Sequence, residues 1–452
     1  MIKNLFLRLL PRFMSRKIQS REGMQKMTQN FAWLFSDKIL KMTVVMAVNI
    51  WAYRYLGPEN VGIWNYAIAF VTILTPLANL GIDGIVVRDI VNNSLRKNEL
   101  IGASFMVKLL GSLFMTLFAI LMIYFRRPDD VQMMYYVFII ASSNIFLAFD
   151  AIDLYNQSQL QSKYTVLSKS IGYLTCAVVK IFLIVWGMSL EWFVWMQFAE
   201  NAIGALFLVF WYHKNGEKIS AWKLDFTTAK HLLSQSWPLI LTAGMMFVQH
   251  NIDQIFLGDW VSEYELGQFS TAAKLIALFG FIPMIIQSTV APELAKAKSH
   301  SNALFMLKMN KVYQIMFVVS VSLIAFCVFF GKWIVVLLYG QEYTQAGALM
   351  ALMSIRLVFV NYGVAKALYI TNFNLFRYFL LTGVVGATIN VALNFYLIPI
   401  YESTGAIWAS IISLLISTII IDLFNPHTRQ NFQSMMNSFF NIPSYFDVFK
   451  EK

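Results

Sequence analysis

Charge is what this 452-residue sequence has least of: only 13% of its residues are Asp, Glu, Lys or Arg, about half the usual share of a soluble domain. Cysteine is almost missing. Cys176 and Cys327 both sit inside apolar runs, which excludes a disulfide framework and any cysteine-rich metal site and leaves buried packing as their expected role. No G-x-x-x-x-G-K-[ST] phosphate loop occurs, so nothing suggests ATP hydrolysis within the chain. Zinc-protease spacing and the nucleophile elbow of hydrolases are absent too. No polar segment between apolar runs reaches the size of a domain.

Apolar sequence fills the space. Hydrophobic residues make up 58%, with 39 Phe, and the mean hydropathy is +0.61. A membrane-crossing helix needs roughly 20 mostly apolar residues. Twelve runs qualify, at about 34–56, 62–86, 102–124, 132–154, 166–186, 191–212, 237–258, 267–290, 313–331, 346–370, 378–400 and 404–424. The reading is an all-α polytopic membrane protein. A net charge of +11 could suggest nucleic acid, but its distribution points to membrane orientation instead. Segments assigned to the side of the N-terminus hold 23 of the Lys and Arg, and the opposite loops hold Arg126, Arg127 and Lys332. By the positive-inside rule both termini are cytoplasmic, and no nucleic-acid partner is expected. Residues 1–33 form a basic arm, with no secretory cleavage site; it either lies as an amphipathic helix on the anionic leaflet or is a disordered tail. The other expected divisions are a six-helix bundle over 34–212, a cytoplasmic linker over 213–236, a second bundle over 237–424 and a cytoplasmic tail over 425–452.

The two bundles look like repeats. Val61-Gly62 aligns with Leu266-Gly267, and Tyr55–Gly57 with Phe256–Gly258. Leu154, Tyr155, Lys163, Tyr164 and Gly172 match Leu368, Tyr369, Arg377, Tyr378 and Gly386 at a constant offset of 214. Six spans per half gives both halves the same orientation, a transporter architecture.

The stretch "YLGPENVGIWNYAIAFVTILTPLANLGIDGIVVRDIV" resembles the first two spans of Wzx-type polysaccharide flippases of the MOP exporter superfamily. "NIDQIFLGDWVSEYELGQFSTAAKL" resembles their second half, and the likeness runs from about Asn30 to Phe424. It implies two bundles around a V-shaped central cavity, in the bacterial inner membrane. It also implies export of an undecaprenyl-diphosphate-linked oligosaccharide to the outer leaflet, for O-antigen, lipopolysaccharide or another surface polysaccharide. Asn79 stands where many relatives carry Asp, which puts any acid-dependent role there in doubt.

An ionisable group inside a span costs about 2.5–3.5 kcal/mol on insertion scales, so each is a functional candidate. Lys38, Arg54, Lys169 and Lys366 lie near span ends and are expected to snorkel to headgroups. Arg356, roughly 15 Å below the membrane face, and Lys41 and Lys274, roughly 10 Å deep, cannot easily do so. They are expected to line a cationic cavity for diphosphate, Arg356 by bidentate hydrogen bonds and the lysines as point charges. In span 7, "QHNIDQ" brings His250 and Asp253 to one side. These are a structural ion pair with Lys274, a proton- or sodium-coupling site, or sugar contacts. Glu200 is a second proton carrier, or a carboxyl held neutral by burial or paired with Lys180. No other cofactor is implied.

"LGIDGIVVRDIV" reads as the cytoplasmic end of span 2. Arg88 lies at the water boundary. Asp83, on a face shared with Asn79, looks into the cavity mouth or packs on span 1 near Lys41. Trp51, Trp64 and Tyr66 could stack on sugar rings. Three other readings compete: a MATE-type multidrug or cation antiporter, disfavoured by deep Lys and Arg; a membrane glycan polymerase or ligase, which would want a larger periplasmic loop than Lys332–Gln345; and a scaffold among other glycan-assembly proteins.

Overall fold

The computed structural model describes residues 40–440, together with 30, 33 and 36–38. The basic arm expected over 1–33 therefore lies almost wholly outside the described residues, as does the end of the tail. Fifteen helices carry the fold: α1 Met46–Leu74, α2 Asp83–Asn92, α3 Lys97–Arg126, α4 Val131–Ser143, α5 Asp150–Ser158, α6 Ser162–Val185, α7 Leu190–Lys214, α8 Phe226–Trp260, α9 Glu263–Leu278, α10 Phe281–His300, α11 Asn302–Tyr339, α12 Thr344–Met353, α13 Arg356–Asn372, α14 Phe376–Leu415 and α15 Arg429–Phe440. Short helical turns join several of them.

Among the described residues, eight helical stretches are long and apolar enough to cross a membrane. Two of these, Ser36–Asn92 and Phe376–Phe424, run to 57 and 49 residues. At 1.5 Å per residue each far exceeds the hydrocarbon thickness of about 30 Å. Each holds a non-helical residue, Gly57 (φ 75°, ψ 166°) and Glu402 (φ 51°, ψ −132°), where one span ends and the next begins. Helices α12 and α13, bent by 48° at their junction, make a further span. Helix α8, which carries the central QHNIDQ run, is not among the stretches apolar enough to count as a span on this measure. Side chains such as Leu110, Phe114, Leu117, Leu121 and Phe125 stand exposed in one stripe of α3, spaced to face lipid along a helix.

The contacts divide the chain into two compact units, Met1–Leu56 with Phe70–Gly244, and Gly57–Ala69 with Met245–Lys452. In the first unit, Ile82, Val86, Ile90, Ile101, Val107 and Leu232 are central to the core where α2, α3 and the start of α8 meet. The segment expected as a cytoplasmic linker packs in part against this core. Asn98 O accepts a 3.1 Å hydrogen bond from Lys223 N, and α8 begins at Phe226, well before the apolar run. Asp225 caps it, accepting from Thr227 N and Thr228 N at 3.1 and 2.9 Å. The expected continuous end of span 2 is broken. Leu80 (φ 52°) and Gly81 (φ 62°) are both left-handed, so Asn79 and Asp83 do not share the face of one helix. A side chain at Gly81 would press on Leu239 of α8.

In the second unit, Phe305, Met309, Tyr313, Met316, Tyr362 and Met435 are buried together. Met435 comes from α15, so the first part of the expected tail is core. A side chain on Gly62 would meet the Glu263 backbone carbonyl, and one on Gly267 the Pro58 carbonyl. These two glycines are the pair aligned by the internal repeat. The repeat recurs elsewhere: Gly172 lies against the backbone of Glu200 and Gly204, and Gly386 against Ser417.

Candidate functional site

Each unit carries its own set of intramembrane charges. In the first, Lys41 opens a π-helical turn, Lys41–Val45, and its Nζ lies 3.3 Å from Glu200 Oε1 on α7. Lys169 on α6 pairs with Asp150 at 3.1 Å and Asp153 at 3.5 Å. Asp37 accepts 2.9 Å hydrogen bonds from Ser170 and Tyr173 hydroxyls. Lys41, Asp150, Lys169, Glu200 and Asn201 line one cavity of about 200 Å³. Asp37, Asp150, Asp153 and Glu200 here face Lys41 and Lys169, with Lys180 also acting electrostatically on Glu200. Lys41, expected as a bare cation for diphosphate, is ion-paired in this structure, and Lys180, one expected partner of Glu200, donates at 3.2 Å to Asn49 Oδ1. Lys169, expected to reach for headgroups, is held by two carboxylates.

The acid near the end of span 2 also has its partner. Asp83 Oδ1 lies 2.7 Å from Nζ of Lys108, a fully buried lysine on α3. The expected alternative, packing near Lys41, is replaced by this pair. A lysine with 1% side-chain exposure must be paired or neutral, and Asp83 meets that need. Arg88 donates to Asp89 at 2.8 Å and to Gln235 of α8 at 2.9 Å.

The second unit holds the other candidates. Asp253 is buried on α8 and accepts from Asn394 Nδ2 at 2.6 Å and Ser410 Oγ at 2.5 Å. These partners sit on the two halves of α14, so the carboxylate ties span 7 to spans 11 and 12. The expected partner was Lys274. That lysine is an exposed residue of α9, while both Asp253 oxygens are engaged by neutral donors. Arg356 begins α13 immediately after the 48° bend and is half-buried. Its charge acts on Asp253 and on exposed His250. No hydrogen bond or ion pair of the guanidinium is found among the described residues.

Lys366, expected to snorkel, is instead buried. Its Nζ lies 2.5 Å from Asp422 Oδ1 and donates to the carbonyls of Ser417 and Thr418 at 3.2 and 3.0 Å. Those carbonyls belong to a π-helical turn, Ile416–Ile420, which frees them from regular i to i+4 bonding. Asp422 also accepts from Tyr378 and from Asn431 on α15, at 2.7 and 2.8 Å. This network anchors α15 and is structural. Of the aromatics proposed for sugar, Trp64 and Tyr66 are buried, Tyr66 donating at 2.7 Å to Asp259, while Trp51 is exposed.

Residues 27–298 match the model of the polysaccharide biosynthesis protein family. The chain belongs to that family. It is 22% identical over 404 residues, 87% of this chain and 98% of the relative, to the capsular polysaccharide biosynthesis protein CapF of Staphylococcus aureus. Its fold is that of MOP-superfamily transporters. An inward-facing multidrug resistance MATE-family transporter matches with a TM-score of 0.70, at 14% identity, over 88% of this chain and 96% of that one. Lipid II flippase MurJ, in an inward closed conformation, matches with a TM-score of 0.67, at 12% identity, over 92% and 94%. The protein is a multi-pass membrane protein.

Proposed function

We propose that this protein is a flippase that carries a polyprenyl-diphosphate-linked oligosaccharide repeat unit from the cytoplasmic to the outer leaflet, for a surface polysaccharide. The observation that carries the reading is Arg356. A guanidinium inside a membrane span is normally paired. Here the charge of Asp253 reaches the guanidinium, but that carboxylate accepts from Asn394 and Ser410, and no hydrogen bond or ion pair of Arg356 is found among the described residues. The planar fork is left free for a bidentate oxyanion, and a diphosphate is the group in a lipid-linked sugar that offers one. Lys274, exposed on α9, adds a second positive charge to the same unit. Family membership supports the glycan, and the cytoplasmic placement of both termini rests on the charge asymmetry of the loops.

Outward movement of an anion is favoured by about 2.3 kcal/mol per charge for each 100 mV of membrane potential, inside negative. The acid-rich set around Glu200 and Lys41 supports proton or sodium exchange as an additional drive. Its cavity of about 200 Å³, lined by Asp150 and Glu200 beside Lys41 and Lys169, is too small for an oligosaccharide and of a size for a small cation.

The test is leaflet exposure in proteoliposomes loaded with candidate undecaprenyl-diphosphate glycans. Protein-dependent appearance of the glycan on the opposite leaflet supports the reading. Transport of cationic drugs, with none of any glycan lipid offered, would overturn it in favour of a MATE-type exporter.

A further inference from the structure

A polar pocket of about 250 Å³ opens in the first unit between the end of α5, the start of α6 and the end of α7. Loop charge assigns that end of the unit to the cytoplasm. Tyr155, Tyr164 and Tyr212 line it, with Asn156, Gln161, Asn215 and Glu217. Every lining side chain carries a polar group, so hydrocarbon does not fill it. The fold fixes one part of the wall. Helix α7 ends in a Schellman turn: Gly216 N, at φ 87°, donates to His213 O at 3.0 Å, and Glu217 N to Tyr212 O at 3.2 Å. The turn brings Glu217 back onto Lys97 and Tyr155, which donate to it at 2.6 and 2.8 Å. Asn156 donates to Thr165 at 3.2 Å, and the Tyr212 hydroxyl accepts from Trp222 at 3.0 Å.

The rest of the wall is unspent. Among the described residues, the Tyr164 hydroxyl and the Gln161 and Asn215 amides have no hydrogen-bond partner. Trp211, its ring 5.6 Å from that of Tyr164, keeps a buried indole nitrogen that has none either. The second unit treats the same positions differently. At the offset of 214, Tyr155, Tyr164 and Glu217 correspond to Tyr369, Tyr378 and Asn431. Tyr369 donates to His427 O and Tyr378 to Asp422, both at 2.7 Å, and Asn431 is fully buried. There α15 closes over the tyrosines. The opening in the first unit is therefore not a requirement of the repeated fold.

Of the lining residues Glu217 alone is charged, and Lys97 balances it. A diphosphate finds no free cation there, and a cation no free carboxylate. The chemistry left is that of a neutral ligand with many hydroxyls, for the amides and the Tyr164 hydroxyl, and a C–H face for a tyrosine ring. Drug-sized ligands occupy pockets of roughly 300–1,000 Å³, so this smaller one admits a single ring and not a chain. We propose that the pocket binds one neutral pyranose sugar, and that this sugar belongs to the lipid-linked glycan before its export. The second half rests on the flippase reading above and places a sugar contact on the side from which the glycan departs.

The experiment is saturation-transfer NMR on the full chain in nanodiscs of deuterated lipid. The probes are free glucose, galactose, mannose, fucose, N-acetylglucosamine and N-acetylgalactosamine. At least one is expected to take up saturation, and inorganic diphosphate should not displace it. Asn215→Trp, which fills the pocket from an exposed position, should weaken that binding by about tenfold or more with an unchanged melting temperature. Gln161→Leu, also exposed, is the second variant should the first not fold. Silence from all six sugars, displacement by diphosphate, or full binding by the folded variant would overturn the proposal. The nucleotide-linked form of the sugar that binds should bind no more tightly than the free sugar. Clearly tighter binding would identify a soluble nucleotide sugar as the ligand and overturn the assignment to the glycan. No transport is scored. Sugar binding without glycan export in the proteoliposome assay would therefore sink the flippase reading alone, and export without sugar binding would sink the pocket alone.

Discussion

Gly62 and Gly267 make the same contact in exchange: Gly62 lies on the backbone of Glu263, and Gly267 on the backbone of Pro58. Pro58 and Gly62 each stand 205 positions before their counterparts. The contact is therefore the internal repeat acting on itself, as in an isologous interface. A Cβ at either position meets main chain, which cannot rotate away. Gly62→Leu and Gly267→Leu should each destabilise by about 1–3 kcal/mol, by similar amounts. Thermal unfolding of the two purified variants checks this, and a large loss in one with none in the other would contradict the equivalence.

Lys366 and Asp422 should behave as a unit. Removing one partner of a buried pair costs about 3–5 kcal/mol, because the other charge stays behind. Lys366→Met and Asp422→Asn should each lower the melting temperature sharply. The double variant Lys366→Met, Asp422→Asn should lose clearly less than the sum of the two. Additive losses would show that the lysine contacts to Ser417 and Thr418, and not the ion pair, dominate.

Glu217, in the segment between α7 and α8, gives a pH signature. Burial pushes its pKa up, but hydrogen bonds from Lys97 at 2.6 Å and Tyr155 at 2.8 Å, with the lysine charge, hold it below its ordinary value. The folded value lies under the unfolded one, so its stabilisation is fully present above the unfolded value and lost as pH falls through the folded value. Glu217→Gln should therefore melt lower than wild type near neutral pH, and the gap should narrow as pH drops below about 4.5. A gap independent of pH would remove this carboxylate from the account.

Glu200 separates coupling from stability. Its pair with Lys41 is partly exposed, at 53% and 20% for the lysine and the glutamate, so Glu200→Gln should change stability by less than about 1 kcal/mol. If the site exchanges a proton or sodium ion, the variant should lose the dependence of transport on an imposed ion gradient. Unaltered gradient dependence in a folded variant would assign Glu200 a packing role.

Much of the architecture was legible in the sequence because spans announce themselves by length and composition. The glycine repeat was legible because Gly62 and Gly267 keep their spacing from Pro58 and Glu263. Partnerships between spans were not. Nothing near Asp83 points to Lys108, and nothing near Lys366 points to Asp422, since lateral packing rather than periodicity chooses such neighbours. The break before Asp83 was hidden by Leu80, an apolar residue with no preference for the left-handed region; only Gly81 beside it hints at a turn. Arg356 stands out in the sequence as a cation inside an apolar run, whereas the Asn394 and Ser410 donors to Asp253, 141 and 157 positions away from that acid, could not be read from it.

The most direct measurement is transport of an undecaprenyl-diphosphate glycan, per folded molecule, by Arg356→Ala and Arg356→Lys in proteoliposomes. Losing a charged hydrogen-bonding partner of the diphosphate should cost about 1.5–3 kcal/mol, roughly 10- to 150-fold. The alanine variant should fall by that much, and lysine should restore part of the rate as a point charge. Full transport by a folded Arg356→Ala protein would contradict the central claim.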